Sequence, residues 1–330
     1  MKAVIYTKYG PPDVLKLVDT PTPSPNDTEV LVKIMATSVT PVDVAFRSGN
    51  PKIARLFTGL FKPKNPVLGT ELSGAIEAVG KNVSRFSPGD RVFAAAPGGF
   101  GAHAQYICMA QDAAIVKIPN RLDFEEAAVI GNGALTALPF LRDGAKLKRG
   151  QKILIIGASG SIGTAAVQLA AEMGAKVTGV CSTPNLEMVQ DLGATQVIDY
   201  TQTDFRTSGQ AYDVVFDTVG KSSFGQCCAS LAKGGIFITT VPDPATLLSP
   251  LLRPFLRGKR AKMLATGLRK DATKIMDMEA LMALVVDRHL IMVIDRCYPL
   301  DQIATAHSYV EQGHKRGNLV INVSHHKSKI

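Results

Sequence analysis

Lys152-Ile153-Leu154-Ile155-Ile156-Gly157-Ala158-Ser159-Gly160-Ser161-Ile162-Gly163 lies near the middle of this 330-residue chain, and the rest is read outward from it. Residues 152–156 form an apolar run of strand length, and the spacing predicts a helix over 162–173. The turn between them follows G-x-G-x-x-G, with Ala158 at the first glycine position and Gly160 and Gly163 retained. At Gly160 a bare backbone lets N–H groups approach a pyrophosphate. Gly163 permits close helix–strand packing, and the helix N-terminus faces the anion. A glycine triplet alone is weak evidence. Here it follows a strand and opens a helix inside a βαβ unit, which favours dinucleotide binding over an empty glycine-rich turn.

The alternation continues on both sides of the next turns. Strands are expected at 176–180, 196–198, 213–216 and 236–240, and helices at 185–192 and 222–232. Continuous apolar strands between helices indicate a parallel sheet buried on both faces, an α/β arrangement. The second strand runs into Val180-Cys181-Ser182-Thr183, where a chain that binds the adenosine 2′-hydroxyl has Asp or Glu. Two hydroxyls without a carboxylate favour NADPH over NADH. The plainer alternative is that Ser182 and Thr183 only cap the following helix.

Residues 1–120 have a different rhythm. Val30-Leu31-Val32-Lys33-Ile34 and His103-Ala104-Gln105-Tyr106-Ile107 read as strands, separated by turn formers such as Pro23-Ser24-Pro25-Asn26-Asp27. A small barrel or sandwich is expected. The change comes at Asp123-Phe124-Glu125-Glu126, a helix-start pattern. The last 65 or so residues become irregular again, with a helix at 278–287, an extended piece at 293–298, a helix at 300–312 and a strand at 318–323. His325-His326 falls in a tail expected to be solvated.

Apolar residues make up 46% of the chain, enough for an ordered core. No apolar run approaches the roughly 18 residues of a membrane span, and the N-terminus lacks the marks of a signal or transit peptide, so a cytoplasmic location is expected. The five cysteines (Cys108, Cys181, Cys227, Cys228, Cys297) show neither a disulfide framework nor C-x-x-C spacing, so no zinc ribbon is expected. Net charge is +9. The surplus suits an enzyme handling an anionic dinucleotide, and leaves open contact with a membrane surface or nucleic acid. It concentrates at 52–64 and 253–262, where cations mix with Leu and Phe.

Gly69-Thr70-Glu71-Leu72-Ser73-Gly74, followed by Gly80 and Val83, reads as the run G-H-E-x-x-G-x5-G-x-x-V with threonine in place of histidine. With the turn at 157–163 and the run Gly150-Gln151, Leu154 and Gln168, the whole chain resembles the medium-chain dehydrogenase/reductase superfamily, in its zinc-lacking quinone oxidoreductase branch. Ser161 and Ala171 depart from that branch's signature.

The resemblance implies a GroES-like, mostly β barrel-like catalytic domain over 1–124, a doubly wound parallel-sheet (Rossmann) nucleotide domain of α/β class inserted at 125–265, and a segment 266–330 returning to the catalytic domain. It places Thr40, Thr70 and Asn132 where zinc ligands stand in the zinc enzymes. Hydroxyls and an amide are poor zinc ligands, so no metal is expected. Glu71 is then expected to be an interior hydrogen-bond or ion-pair partner. The resemblance also implies cofactor contacts from Thr136, Ser159, Gly160, Ser161, Ile162, Gly163, Ser182, Tyr200, Val219, Thr240, Val241 and Asn318.

The expected chemistry is hydride transfer from NADPH to a small hydrophobic electrophile, a quinone or an α,β-unsaturated carbonyl, without Lewis-acid help. Thr40 and Thr70 are candidate donors to the developing oxyanion. Asp43 either shapes the pocket or relays a proton, against the simpler role of a local cap. His103 is expected to be a packed histidine. Residues 53–61 read as an apolar flap or an oligomer contact, and a homodimer is expected. Alternatives are an enal or enoyl-thioester reductase and, from another class, a non-catalytic nucleotide- or RNA-binding protein.

Overall fold

The computed structural model describes residues 1–207, 209–241 and 258–323. The chain divides into two compact units. One holds Met1–Asn132, Lys270–Val286 and the described residues from Ile294 onward. The other holds the described residues of Gly133–Arg269 together with Asp287–Val293. The divisions fall after Asn132 and Arg269, not at the expected 124 and 265, and residues 287–293 return to the second unit before the chain leaves it for good.

The first unit is mostly strand. β1 (Lys2–Ile5) and β2 (Lys16–Asp19) form an antiparallel pair. The larger sheet contains β3 (Glu29–Ser38), β4 (Glu71–Val79), β5 (Arg91–Ala95), β6 (Tyr106–Ala110), β7 (Ile115–Lys117), β14 (Ile294–Pro299) and β15 (Asn318–Asn322). Its order is β14-β15-β3-β4-β5-β7, with β6 paired to β3. Val30, Val32, Ile34, Leu72, Ile76, Val92, Leu319 and Ile321 bury one continuous apolar core. Removing such side chains from water is the main stabilising term. Helices α1 (Pro41–Ser48), α2 (Arg55–Thr58), α3 (Phe124–Ala128), α8 (Asp271–Val286) and α9 (Ile303–Glu311) complete the unit.

The second unit carries a six-stranded sheet in which every neighbouring pair is parallel. Its strands are β8 (Lys152–Ile156), β9 (Lys176–Cys181), β10 (Gln196–Asp199), β11 (Tyr212–Asp217), β12 (Leu231–Thr239) and β13 (Arg260–Met263). The order β10-β9-β8-β11-β12-β13 is the doubly wound 3-2-1-4-5-6 pattern, which reverses between β8 and β11. Helices α4 (Ala134–Pro139), α5 (Ser161–Glu172), α6 (Leu186–Asp191) and α7 (Phe224–Cys227) belong to it.

Three local expectations change. The helix expected at 222–232 is one turn, Phe224–Cys227, opened by a capping box between Ser223 and Gln226. Leu231 instead pairs with Tyr212 as the start of β12 and joins Phe224 and Phe237 in the core. Tertiary pairing overrides the helical composition there. β6 begins only at Tyr106, because residues before it pair with β1, with Val4 donating to the His103 carbonyl at 2.9 Å. Asp123 precedes α3 as expected but makes no side-chain cap. The tail and residues 253–257 lie outside the described residues. Among the described residues no helix is long and apolar enough to cross a membrane.

Candidate active site

The turn after β8 is held from both sides. Gly157 and Ala158 donate to the Val180 carbonyl at 3.1 and 3.0 Å, which seats the turn on β9. Ala158, at the missing first glycine, is fully buried, and a Cβ on Gly179 would come 3.1 Å from its methyl. A Cβ on Gly163 would lie 2.0 Å from the Gly157 carbonyl oxygen, so α5 approaches the turn only because that side chain is absent. Gly160 is different. A Cβ there meets nothing closer than 3.5 Å, so nothing in the protein requires glycine at this position. It has no side-chain cap and opens the 12-residue α5. A helix N-terminus without a side-chain cap at the sheet's reversal point turns backbone N–H groups towards any anion placed there.

Of the other expected positions in this unit, Ser182, Tyr200, Val219, Thr240 and Val241 follow the C-terminal ends of β9, β10, β11 and β12. The buried Asp217 carboxylate at the end of β11 accepts from Val219 N, Gly220 N and Ser222 N at 3.0, 2.8 and 2.8 Å, which fixes the loop bearing Val219. Burial raises the Asp217 pKa, while these backbone donors oppose the rise. Thr240 ties back to this loop through Oγ1 and the Thr218 carbonyl at 3.2 Å, and Val219 and Val241 remain exposed. Thr136 is half-buried on α4, which packs on α5. Tyr200 is exposed, its N–H donating to the Cys181 carbonyl at 3.1 Å. Asn318 belongs to the first unit, buried at the start of β15.

The end of β9 carries an acid that its own sequence lacks. β10 pairs beside β9 with Asp199 opposite Cys181. The Thr183 hydroxyl donates to Asp199 Oδ2 at 2.5 Å, and Thr201 N and Oγ1 donate to Oδ1 at 2.9 and 2.7 Å. These bonds hold the Asp199 pKa below its ordinary range, so it is an anion at neutral pH. Thr183 has therefore committed its hydrogen. Ser182 Oγ accepts from Asn185 Nδ2 at 3.0 Å and keeps its own hydrogen to donate.

In the first unit, the C-terminal end of β3 and the start of β4 lie side by side, with Thr37 opposite Leu72. This antiparallel pairing brings Thr40 and Thr70 to one end of the sheet. Thr40 is the N-cap of α1 in a full capping box with Asp43. The fully buried Asp43 carboxylate accepts from Thr40 N at 2.8 Å, Thr40 Oγ1 at 2.6 Å and Gly69 N at 3.1 Å. Asp43 thus has the local-cap geometry, and it also binds the loop preceding Thr70. Thr70 Oγ1 is buried with no hydrogen-bond partner among the described residues. A Cβ on Gly99 would touch both the Thr70 methyl, at 3.7 Å, and Phe46, whose ring stacks on Phe100 at 5.2 Å.

Glu71 is an interior hydrogen-bond partner. The Ser38 hydroxyl donates to its Oε1, and the Thr37 hydroxyl donates to its carbonyl at 2.6 Å. Gly131 makes room for it, since a Cβ there would fall 2.3 Å from Oε2. Burial pushes the Glu71 carboxyl up to about 8, against the opposing pull of hydrogen bonds from Ser38 and the Asn132 backbone. Lys315, not singled out by sequence, is lowered to about 8 by burial, and its charge acts on Glu71. His103 is fully buried as a packed residue, its Nε2 at 2.9 Å from the Ser38 carbonyl and its ring edge-on to His307. Sequence reasoning also missed Arg47, wholly buried and paired with Glu311, and Asp217, although an acid closing an apolar strand was a usable signal. Among the described residues no three His, Cys, Asp or Glu side chains converge as metal ligands.

Comparison with known proteins agrees with these two architectures. Residues 26–120 match the alcohol dehydrogenase GroES-like domain, and residues 192–321 match a family described as zinc-binding dehydrogenase. Quinone oxidoreductase of Homo sapiens is 31% identical over 323 residues, 95% of this chain and 94% of that protein. The 2-methylene-furan-3-one reductase of Solanum lycopersicum is 30% identical over 98% of this chain and 79% of its own. A mycobacterial protein solved in complex with NADPH superposes with a TM-score of 0.84, at 26% identity, over 98% of this chain and all of the other.

Proposed function

This chain belongs to the medium-chain dehydrogenase/reductase superfamily, with quinone oxidoreductases among its relatives, and from that premise we propose that it is a zinc-independent, NADPH-dependent reductase of quinones or α,β-unsaturated carbonyls. Its membership supports NAD(P)H oxidoreductase activity, and the site supports the finer reading. The observation that carries it is Thr70, a buried hydroxyl without a partner where the zinc enzymes have histidine. The donor set Thr40, Thr70 and Asn132 does not fit zinc, so no step is routed through a metal.

The residues of the second unit fit a dinucleotide. Gly160 leaves the approach to α5 open, Gly163 keeps the helix close, and Ser182 retains a free donor for a 2′-phosphate. When bound, a reduced nicotinamide supplies the hydride, while the protein orients and excludes water. Thr70 Oγ1 donates to the acceptor oxygen as negative charge develops on it. Thr40 can do so only by giving up its bond to Asp43. Glu71, neutral at pH 7 because of its burial, places no full negative charge beside that oxygen. The Phe46–Phe100 stack offers a flat apolar wall to a planar acceptor. Water supplies the proton that completes the reduction.

The test is an NADPH- and NADH-oxidation screen over quinones, short enones, enals and an enoyl thioester, with metal analysis of the same sample. Turnover of a quinone or enone by metal-free protein is expected. Absence of turnover with either cofactor, or activity proportional to bound zinc, overturns the reading. NADPH binding without oxidation, together with salt-sensitive RNA binding, moves it to the non-catalytic alternative. The reading also carries homodimer assembly, tested by light scattering, and a cytoplasmic location, tested by fractionation.

A further inference from the structure

Residues 52–64, between α1 and β4, are patterned the wrong way round for a water-facing surface. Its large apolar side chains, Ile53, Leu56, Phe57, Leu60 and Phe61, all face solvent, with Leu56 69% and Phe61 92% exposed. Its buried positions are small, namely Ala54, Thr58 and Gly59. Scattered exposed apolar residues are ordinary, but five within nine residues form a patch that marks an interaction surface.

Several contacts tie this segment to its surroundings. Tyr9 binds it from below, its hydroxyl 2.6 Å from Thr58 Oγ1 and donating to the Gly59 carbonyl. Arg55 spans back to the Gly49 carbonyl at 3.1 Å and lies over the Tyr9 ring. Gly59, at φ +124°, makes a turn no side chain tolerates, because a Cβ would lie 2.2 Å from the Lys62 carbonyl. The Lys64 N–H closes the loop onto the Thr58 carbonyl at 2.8 Å.

Charge selects the occupant. No Asp or Glu occurs between Asp43 and Glu71, while Lys52, Lys62 and Lys64 are exposed and Arg55 half-exposed. Among the described residues no carboxylate pairs with these three lysines. Exposed apolar side chains flanked along the chain by exposed lysines suit the layering of an anionic bilayer, headgroup charge outside and hydrocarbon beneath.

We propose that residues 52–64 are a peripheral docking loop that inserts Leu56, Phe57, Leu60 and Phe61 into an anionic lipid surface while Lys52, Lys62 and Lys64 meet its headgroups. The proposal stands independently of the reductase reading.

The test uses the full chain and vesicles of phosphatidylcholine, with and without 30 mol% phosphatidylglycerol. The chain contains no tryptophan, so Phe61→Trp gives a single emission reporter on the loop. A blue shift and co-flotation with the anionic vesicles, weakened by salt, are expected. Lys62→Gln with Lys64→Gln should lower partitioning on the order of 30-fold, and Phe57→Ser with Phe61→Ser should abolish it, with circular dichroism and melting temperature unchanged. Equal partitioning to neutral and anionic vesicles, or none, overturns the proposal. So does loss of self-association on light scattering in the Phe57→Ser/Phe61→Ser variant without vesicle binding by the parent, which assigns the patch to a second copy. A changed KM for long-chain acceptors without vesicle binding assigns it to substrate, and binding of polyuridylate in place of vesicles assigns it to nucleic acid.

Discussion

Replacing Glu71 with Gln should remove a specific part of the pH dependence of stability. In the folded chain burial raises the Glu71 carboxyl from 4.5 to about 8. The folded state therefore holds this proton more tightly than the unfolded state. The associated stability is full below pH 4.5 and is lost as pH rises towards 8. Across the whole interval the loss is about 5 kcal/mol, at about 1.4 kcal/mol per unit. Between pH 5 and 7 it is roughly 2–3 kcal/mol, a large share of the stability of an ordinary domain. Lys315, lowered to about 8, stays mostly protonated through that window. The buried histidines titrate equally in both proteins and cancel in the comparison. Urea unfolding of parent and Glu71→Gln at pH 5, 6 and 7 measures the effect. The parent should lose roughly 2–3 kcal/mol relative to the variant on going from pH 5 to 7. Any constant offset from the amide drops out. A difference between the two proteins that does not change with pH would mean that Glu71 is ionised in the fold, and its assignment as a neutral carboxyl at pH 7 would be wrong.

Gly160→Ala should fold normally, because its Cβ meets nothing within 3.5 Å, yet bind NADPH at least tenfold more weakly by calorimetry; Gly163→Ala, 2.0 Å from a carbonyl oxygen, should instead lower the melting temperature, by on the order of 2 kcal/mol of stability. Thr70→Val should cut kcat on the order of 100-fold while leaving the NADPH dissociation constant unchanged, and Thr70→Ser should restore most of the rate. Thr40→Val breaks the cap on α1 and should cost about 1–2 kcal/mol in thermal unfolding. Asp199→Asn removes an anion beside Thr183 and should shift the ratio of NADPH to NADH affinity towards NADPH on the order of fivefold; an unchanged ratio places the 2′-phosphate elsewhere.

What could be read from sequence follows the range of the interactions. The second unit was legible because β8 and β11 centre on apolar runs (Ile153–Ile156 and Val214–Phe216) and strand-like segments alternate with helices, as in a parallel sheet buried on both faces. The cap at Asp43 was legible from Thr40-Pro41-Val42-Asp43 alone, and His103 packs as its place in an apolar stretch suggested. Asp199 was not legible at the end of β9. Its position beside Thr183 depends on the register of β10 against β9, which the sequence of neither strand states. Residues 228–232 look helical in isolation, but pairing with β11 takes Leu231 into a strand. Lys315 acts on Glu71 only because β15 runs beside β3, a pairing between distant parts of the chain.

That same strand order sets a timetable for synthesis. Arg47 is buried on α1, and its carboxylate partner, Glu311, is translated 264 residues later, close to β15, which pairs with the end of β3. At roughly 5–20 residues per second the interval is about 13–50 s. Throughout it the nascent first unit holds an uncompensated guanidinium and an open sheet edge at Ala36–Ser38. The six strands of the other unit begin later but are all made by Met263, so each has its strand partners before Glu311 is translated. The first part made is therefore the last to close, and a ribosome that stalls before Glu311 releases a chain whose opening third is exposed to aggregation.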